Sequence, residues 1–327
     1  MLDALGRTID YLRVSVTDRC NLRCIYCMPS SGVEWKPHET ILSFEETLRI
    51  VRLLAELGVR NIKITGGEPL VRKGVAGFIR TLRNIPGIAG ITLTTNGILL
   101  DRYLDALRDG GIHGVNISLD ALDPQVFHRI TRRRGLAAIF QGMDRALASG
   151  IRVKINCVPL RGVNDRHLIP LASLAEQRPI AVRFIELMPL GAGEGLEPVP
   201  GAQVKALLEE RFGPLRELPP GEARSAGNGP ARYYAVPGFT GTIGLINPIS
   251  DGFCETCNRL RLSAEGVLKP CLAHDLGLDL RSLIRSGASD RETLRAMTAL
   301  IAQKPKGHTF AAPLERAVRQ GMYTIGG

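Results

Sequence analysis

Cys20, Cys24 and Cys27 crowd one short loop, with Tyr26 between the last two. A four-iron cubane has four corners, so three thiolates leave one iron without a protein ligand and open to something else. Each residue spans at most ~3.6 Å, and spacings of three and two let one turn of chain bring all three sulfurs to a single cluster. A structural zinc site needs four closed ligands, and no neighbour in the loop supplies an obvious fourth. Disulfide pairing would leave one thiol over. An open-cornered iron–sulfur site is the favoured reading, with zinc as the alternative.

A second trio, Cys254, Cys257 and Cys271, has the spacing Cys-x2-Cys-x13-Cys and encloses Asn258-Arg-Leu-Arg261. His274 lies just beyond it, so a three-cysteine, one-histidine zinc site and a second three-thiolate cluster both satisfy the spacing. Zinc would be structural, whereas a cluster would again leave a vacant corner facing a substrate. Strand alternation puts Arg259 and Arg261 on one face beside these cysteines. Lone Cys157, on a strand, reads as buried filler.

These residues need a scaffold. Six β-branched-rich segments recur at intervals of roughly thirty residues, the length of a strand–helix unit: 11–16, 61–65, 91–95, 115–119, 152–158 and 181–187. Ser43-Phe-Glu-Glu46 is a capping box ahead of apolar Phe44, Leu48, Val51 and Ala55, with Gly58 as the stop. Asp123-Pro124 opens another helix. Alternating strands and helices imply a parallel sheet. Six units fall short of the eight that close a barrel, so the expected fold is α/β, an incomplete (β/α)6 barrel; a doubly wound sheet is the competitor. After about Phe212 the pattern changes to a turn-rich stretch, short strands at 232–236, 242–246, 260–263 and 267–269, and helices near 279–285 and 291–303. The expected organisation is therefore a barrel over residues 1–212 and a C-terminal segment over 213–327 that covers the open side.

The chain of 327 residues carries 42 Lys and Arg against 32 Asp and Glu, a net charge of +10. That excess suits a polyanionic partner. The densest run, Arg129-Ile-Thr-Arg-Arg-Arg134, has no interleaved rings, and only 5% of residues are aromatic. This argues against a single-stranded nucleic-acid groove. No apolar run reaches membrane-span length, and the start lacks a signal-peptide core. Seven cysteines, an odd count, suit reduced thiols acting as ligands in the cytoplasm.

Ligands of parallel α/β folds bind beyond the carboxyl ends of the strands. There the chain places the first cysteine loop, Thr65-Gly-Gly-Glu-Pro69, Thr94-Thr-Asn-Gly97, Ser118-Leu-Asp120, Lys154 with Asn156, and Glu186-Leu-Met188. Gly66 and Gly67 would allow close ligand approach, and Glu68 would offer a carboxylate to a ligand amine.

Cys20-x3-Cys24-x-Tyr26-Cys27 followed by Gly66-Gly-Glu-Pro69 resembles the radical S-adenosylmethionine superfamily. That resemblance implies that the methionine amino and carboxylate groups chelate the open iron, and that one electron cleaves the sulfonium to a 5′-deoxyadenosyl radical. With Arg13-Val-Ser-Val-Thr-Asp-Arg-Cys20, Arg183-Phe-Ile-Glu-Leu-Met-Pro189, the second trio, Lys304-x-Lys-x-His308 and the ending Ile325-Gly-Gly, the chain is similar to the GTP 3′,8-cyclase family of molybdenum cofactor biosynthesis. The family resemblance implies two [4Fe-4S] clusters, each on three cysteines, the second binding the guanine of GTP and leaving His274 a bystander. It implies S-adenosylmethionine contacts at Tyr26, Gly67, Ser118 and Met188. It implies GTP contacts at Arg13, Lys63, Thr94, Lys154, Arg259 and Arg261, with Arg183 also within reach. It implies that the tail Gly326-Gly327 inserts into the site and is needed for turnover. It further implies a reductant, a downstream cyclic pyranopterin monophosphate synthase that takes the product, and a homodimer. The cations agree on physical grounds, since a triphosphate needs several fixed positive donors.

Two other classes stay open: a radical enzyme that modifies tRNA or a peptide, and a non-catalytic iron–sulfur or zinc protein. Neither a Ser–His–Asp arrangement nor a Walker-type phosphate loop is present.

Overall fold

The computed structural model describes residues 1–193, 195–219, 222, 227, 229–308, 310 and 323. Strand and helix alternate through the first two-thirds of the chain: β1 (Tyr11–Ser15), α1 (Phe44–Glu56), β2 (Asn61–Thr65), α2 (Val75–Arg83), β3 (Gly90–Thr95), α3 (Leu100–Asp109), β4 (Gly114–Ser118), α4 (Pro124–Thr131), α5 (Leu136–Ala148), β5 (Arg152–Cys157), α6 (Leu168–Gln177), β6 (Ala181–Ile185) and α7 (Gly201–Phe212). The remainder supplies β7 (Arg216–Glu217), β8 (Arg232–Ala235), β9 (Thr242–Ile246), β10 (Arg259–Leu262), β11 (Val267–Lys269), β12 (Leu278–Asp279), α8 (Leu280–Arg285) and α9 (Asp290–Ala302).

All these strands belong to one 12-stranded sheet in the order β12-β11-β10-β1-β2-β3-β4-β5-β6-β9-β8-β7. The run from β10 through β1–β6 to β9 is parallel, and the outer strands are antiparallel. Among the described residues the sheet does not close, giving the α/β incomplete barrel that the strand count predicts. The C-terminal strands do more than cover the opening. β10 pairs with β1 and β9 pairs with β6, so the sheet continues unbroken past residue 212.

Strand alternation separates two chemistries. Leu12, Val14, Ile62, Ile64, Leu93, Ile117, Ile155 and Phe184 are buried under the helices, where removing apolar surface from water drives folding. The alternate residues Arg13, Lys63, Thr94, Asn116, Lys154 and Arg183 line the concave face. A closed barrel fills that interior with branched apolar side chains; here it is polar and partly empty.

Local signals behave as the sequence predicts. Ser43 and Glu46 form a complete capping box on α1, and Asp123 caps α4 by accepting from Gln125 N and Val126 N. Such caps contribute about 1 kcal/mol each. Strand bounds lie within two residues of the predicted ones, three of them matching at both ends (61–65, 242–246 and 267–269), and the two-residue strands β7 and β12 carry no sequence pattern. The arginine run also departs from a simple exposed face. Arg132 adopts φ 56° and ends α4, and its Nη1 donates to the carbonyls of Arg23 and Met28 at 3.1 Å each. This side chain is a clamp on the cysteine loop.

Candidate active site

A cavity of about 440 Å³ opens at the carboxyl ends of the central strands. Cys20, Cys24, Cys27, Cys254, Cys257 and Cys271 line it. So do Tyr26, Gly67, Ser118 and Met188, and the polar set Arg13, Lys63, Thr94, Lys154, Arg259 and Arg261. Gly326 and Gly327 lie outside the described residues. Tyr323, close to them in sequence, does border the cavity, and its backbone N–H donates to Cys27 Sγ.

The first trio hangs from β1 in a loop held on several sides. Cys24 O accepts from Cys27 N at 2.9 Å and from Met28 N at 3.1 Å, closing a tight turn. Leu22 N donates to Cys20 Sγ at 3.3 Å. Burial pushes the metal-free Cys20 thiol up to about 11 and the Cys27 thiol up to about 12. Loading a metal centre must therefore displace protons.

The glycines after β2 serve this loop. A Cβ on Gly67 would sit 2.4 Å from Arg19 O, and one on Gly66 would sit 2.7 Å from Thr17 O. Gly67 N donates to Thr17 O at 2.7 Å and Glu68 N to Arg19 O at 2.8 Å, stitching the two loops together. The immediate reason for glycine is thus the approach of the cysteine loop's backbone.

Glu68 corrects the sequence expectation. It is 0% exposed. Its Oε1 accepts from Leu70 N at 3.0 Å and Thr95 Oγ1 at 2.8 Å, and its Oε2 accepts from Asn96 N at 2.7 Å. Burial raises the carboxyl to about 7 against the pull of those donors. With both oxygens engaged, Glu68 offers nothing to a ligand amine. It ties the β2 loop to the β3 loop, and Asn96 in turn donates to Asn21 Oδ1 at 2.7 Å beside Cys20.

The cations form a connected group. In the sheet register Arg13 pairs with Lys63 on one side and Arg261 on the other, and Arg183 pairs with Asn156. Among the described residues no carboxylate forms an ion pair with Lys63, Lys154, Arg183 or Arg259. The Nε atoms of Arg183 and Arg259 are buried without a hydrogen-bond partner there. Burial, with Arg183 and Arg152 nearby, pulls the Lys154 ammonium down to about 7. Burial, then Arg183, Arg13 and Lys154, hold Lys63 well below its ordinary value. Buried positive charge facing buried positive charge is costly. A polyanion bound among these groups would relieve that cost.

The second trio lies across the cavity, with β10 following Cys257 directly. Burial raises the Cys254 thiol, while Arg259 and Lys304 outweigh burial and bring Cys257 down to about 7. His274 Nε2 lies 2.9 Å from Gly307 O. A zinc ion would draw its sulfurs to within about 2.3 Å of one point. Among the described residues no three Cys, His, Asp or Glu side chains converge in that way.

Sequence reading passed over several residues here. Asp120 was noted on the rim without a role, yet its Oδ2 accepts from the Tyr26 hydroxyl at 2.6 Å and its Oδ1 from Val158 N at 2.8 Å. The two-residue step from Ser118 was the available signal, since it puts both on one face. Asn21, Arg7 and Lys304 had no such signal, because their partners are distant in sequence.

Residues 14–175 match the family model described as the Radical SAM superfamily, and residues 180–310 match Molybdenum Cofactor Synthesis C. The chain is 46% identical over 312 residues to the GTP 3′,8-cyclase of Heliobacterium modesticaldum, covering 94% of each chain. It is 43% identical to the GTP 3′,8-cyclase of Moorella thermoacetica over 100% of both. Among solved structures, Streptococcus suis SuiB bound to S-adenosylmethionine superposes with a TM-score of 0.61 at 14% identity, over 96% of this chain and 76% of that one. That likeness is one of fold.

Proposed function

The chain belongs to the GTP 3′,8-cyclase family within the radical S-adenosylmethionine superfamily, and we propose that it cyclises GTP to (8S)-3′,8-cyclo-7,8-dihydroguanosine 5′-triphosphate, the first step of molybdenum cofactor biosynthesis. Membership of that superfamily carries with it a [4Fe-4S] cluster and S-adenosylmethionine. The observation that carries the proposal is the group of cations that lines the same cavity as the two cysteine trios.

Cys20, Cys24 and Cys27 would hold the first cluster, and Cys254, Cys257 and Cys271 the second. Bound there, the first cluster and S-adenosylmethionine supply one-electron reductive cleavage and hence a hydrogen-abstracting carbon radical. Tyr26, Gly67, Ser118 and Met188 would border S-adenosylmethionine. Arg13, Lys63, Lys154, Arg259 and Arg261 would clamp the triphosphate through charge-assisted hydrogen bonds, with Thr94 adding a hydroxyl and Arg183 a further fork. Fixing the triphosphate at one end and the base at the second trio would hold the ribose 3′ carbon against guanine C8. That positioning converts ring closure into an oriented intramolecular step. Enclosure of the cations within the barrel favours a free nucleotide over tRNA or a peptide, which would meet an outer surface.

We assign the barrel to residues 1–212 and the segment bearing the second cluster and the Gly326-Gly327 tail to 213–327, with the tail completing the site. Among the described residues no helix is long and apolar enough to cross a membrane. We place the enzyme in the cytoplasm, served by a one-electron reductant, handing its product to a cyclic pyranopterin monophosphate synthase, and working as a homodimer.

The test is anaerobic incubation of reconstituted protein with GTP, S-adenosylmethionine and dithionite, with products resolved by mass. A cyclised nucleotide formed together with 5′-deoxyadenosine is the expected result. Deoxyadenosine formation that is indifferent to GTP, with GTP recovered intact, would overturn the proposal.

A further inference from the structure

The stretch Lys304-Pro-Lys-Gly-His308 has no role in the reaction as argued so far, yet its polar groups converge on the second trio. Lys304 lies beside Cys257 and helps to hold its thiol below the ordinary value. Its Nζ donates to Arg259 O at 2.8 Å and to Pro270 O, the carbonyls two residues after Cys257 and one before Cys271. The backbone N–H of His308 lies toward Cys254 and opposes the rise that burial imposes on its thiol. The stretch is itself anchored from the other end of the chain. Arg7 Nη2 donates to the carbonyls of Lys304 and Pro305 at 3.1 and 2.9 Å, and its Nη1 donates to Cys254 O at 3.0 Å. Arg7 Nε closes an ion pair with Asp3 Oδ2 at 2.6 Å.

Charge distinguishes the two buried cations. Arg7 is 8% exposed and Lys304 is 5% exposed. Asp3 balances Arg7. Among the described residues Lys304 meets two neutral carbonyls and sulfur, and no carboxylate. A buried ammonium without a counter-ion is strongly disfavoured. Among the described residues the anions within reach are the cysteine thiolates, and a cluster on three thiolates is an anionic centre whose potential follows its hydrogen bonds and local charge.

We propose that Lys304, held in place by Arg7, is the positioning residue of the second cysteine trio and supplies the positive charge that stabilises an iron–sulfur centre there. This rests on the two-cluster reading above. Its consequence is selective: the second centre depends on Lys304, and the first, across the cavity, does not.

The experiment compares the full-length wild type with Lys304→Met, Lys304→Arg and Arg7→Met after anaerobic reconstitution, reading iron per chain, the spectrum of the dithionite-reduced protein and the potential of each centre. Wild type should carry about eight irons. Lys304→Met should either fall to about four, with the first centre's signal intact, or keep a second centre whose potential is more negative than in wild type. Lys304→Arg should restore the iron and most of the potential, and Arg7→Met should lose second-centre iron to a smaller degree. Unchanged iron and potential in Lys304→Met would overturn the inference. So would loss of both centres together with the far-ultraviolet circular dichroism signal, uncorrected by Lys304→Arg, because that is the mark of a general folding role. About four irons in the wild type would overturn the two-cluster reading itself.

Discussion

The Tyr26 hydroxyl donates to Asp120 Oδ2 at 2.6 Å, joining the cysteine loop after β1 to the end of β4 across the barrel mouth. Asp120 is 4% exposed and also accepts from Val158 N at 2.8 Å, so one carboxylate ties three strand ends around the first trio.

Asp120→Ala leaves both donors unpaired in a buried setting, at a cost of about 1–3 kcal/mol each. Asp120→Asn keeps an acceptor for Val158 N and should be milder. Thermal unfolding should rank the stabilities as wild type, then Asn, then Ala, with first-centre iron lost in the same order. Equal melting temperatures for all three would remove the role given to this bond.

Gly67→Ala drives a Cβ to 2.4 Å from Arg19 O, a backbone atom that cannot swing aside. The β2 loop must then part from the cysteine loop, breaking the bonds from Gly67 N to Thr17 O and from Glu68 N to Arg19 O. Overpacking of this kind costs about 1–3 kcal/mol. First-centre iron should drop sharply after reconstitution, while an alanine at exposed Gly77 in α2, which has nothing within 4 Å of an added Cβ, should leave it unchanged.

Lys154 should make the proposed triphosphate binding pH-dependent. Its ordinary value of 10.5 falls to about 7 in the free protein, through burial and then the nearby Arg183 and Arg152. Between those values the unfolded chain holds a proton that the folded chain has released, so its contribution to stability rises with pH across that window. A bound triphosphate favours the charged form, so binding at pH 8 to 9 should take up close to one proton. Affinity should then weaken by up to about tenfold per pH unit above 7. Calorimetry in buffers of different ionisation enthalpy measures the uptake directly, and Lys154→Met should abolish it.

The two trios should separate functionally. Cys24→Ser should abolish 5′-deoxyadenosine formation altogether. Cys254→Ser should retain cleavage of S-adenosylmethionine yet yield no cyclised nucleotide. A cyclised product from Cys254→Ser would falsify the substrate-binding role of the second centre.

Much of this site is legible in residue order. Both cysteine trios, the glycine pair and the alternating strands stand out because their spacing is short, and a period of two forces Arg259 and Arg261 onto the same face as Arg13 and Lys63 once the strands pair in parallel. The six strand–helix units point to an open barrel, and the sheet stays open among the described residues even though β10 and β9 extend its parallel run to eight strands.

Packing between distant segments settled the remainder. Glu68 reads as a ligand-facing carboxylate until the β3 loop folds over it and engages both oxygens. Gly67 has a second demand on it that spacing does not show, because a Cβ there would sit 2.4 Å from Arg19 O. Arg132 turns back on the cysteine loop, and Lys304, known from sequence only as part of a motif, gains a partner when Arg7, from the far end of the chain, anchors its backbone. Local spacing specifies which chemistry a residue can perform. A side chain's partner is set by the three-dimensional path of the chain, and a buried polar group takes its role from that partner.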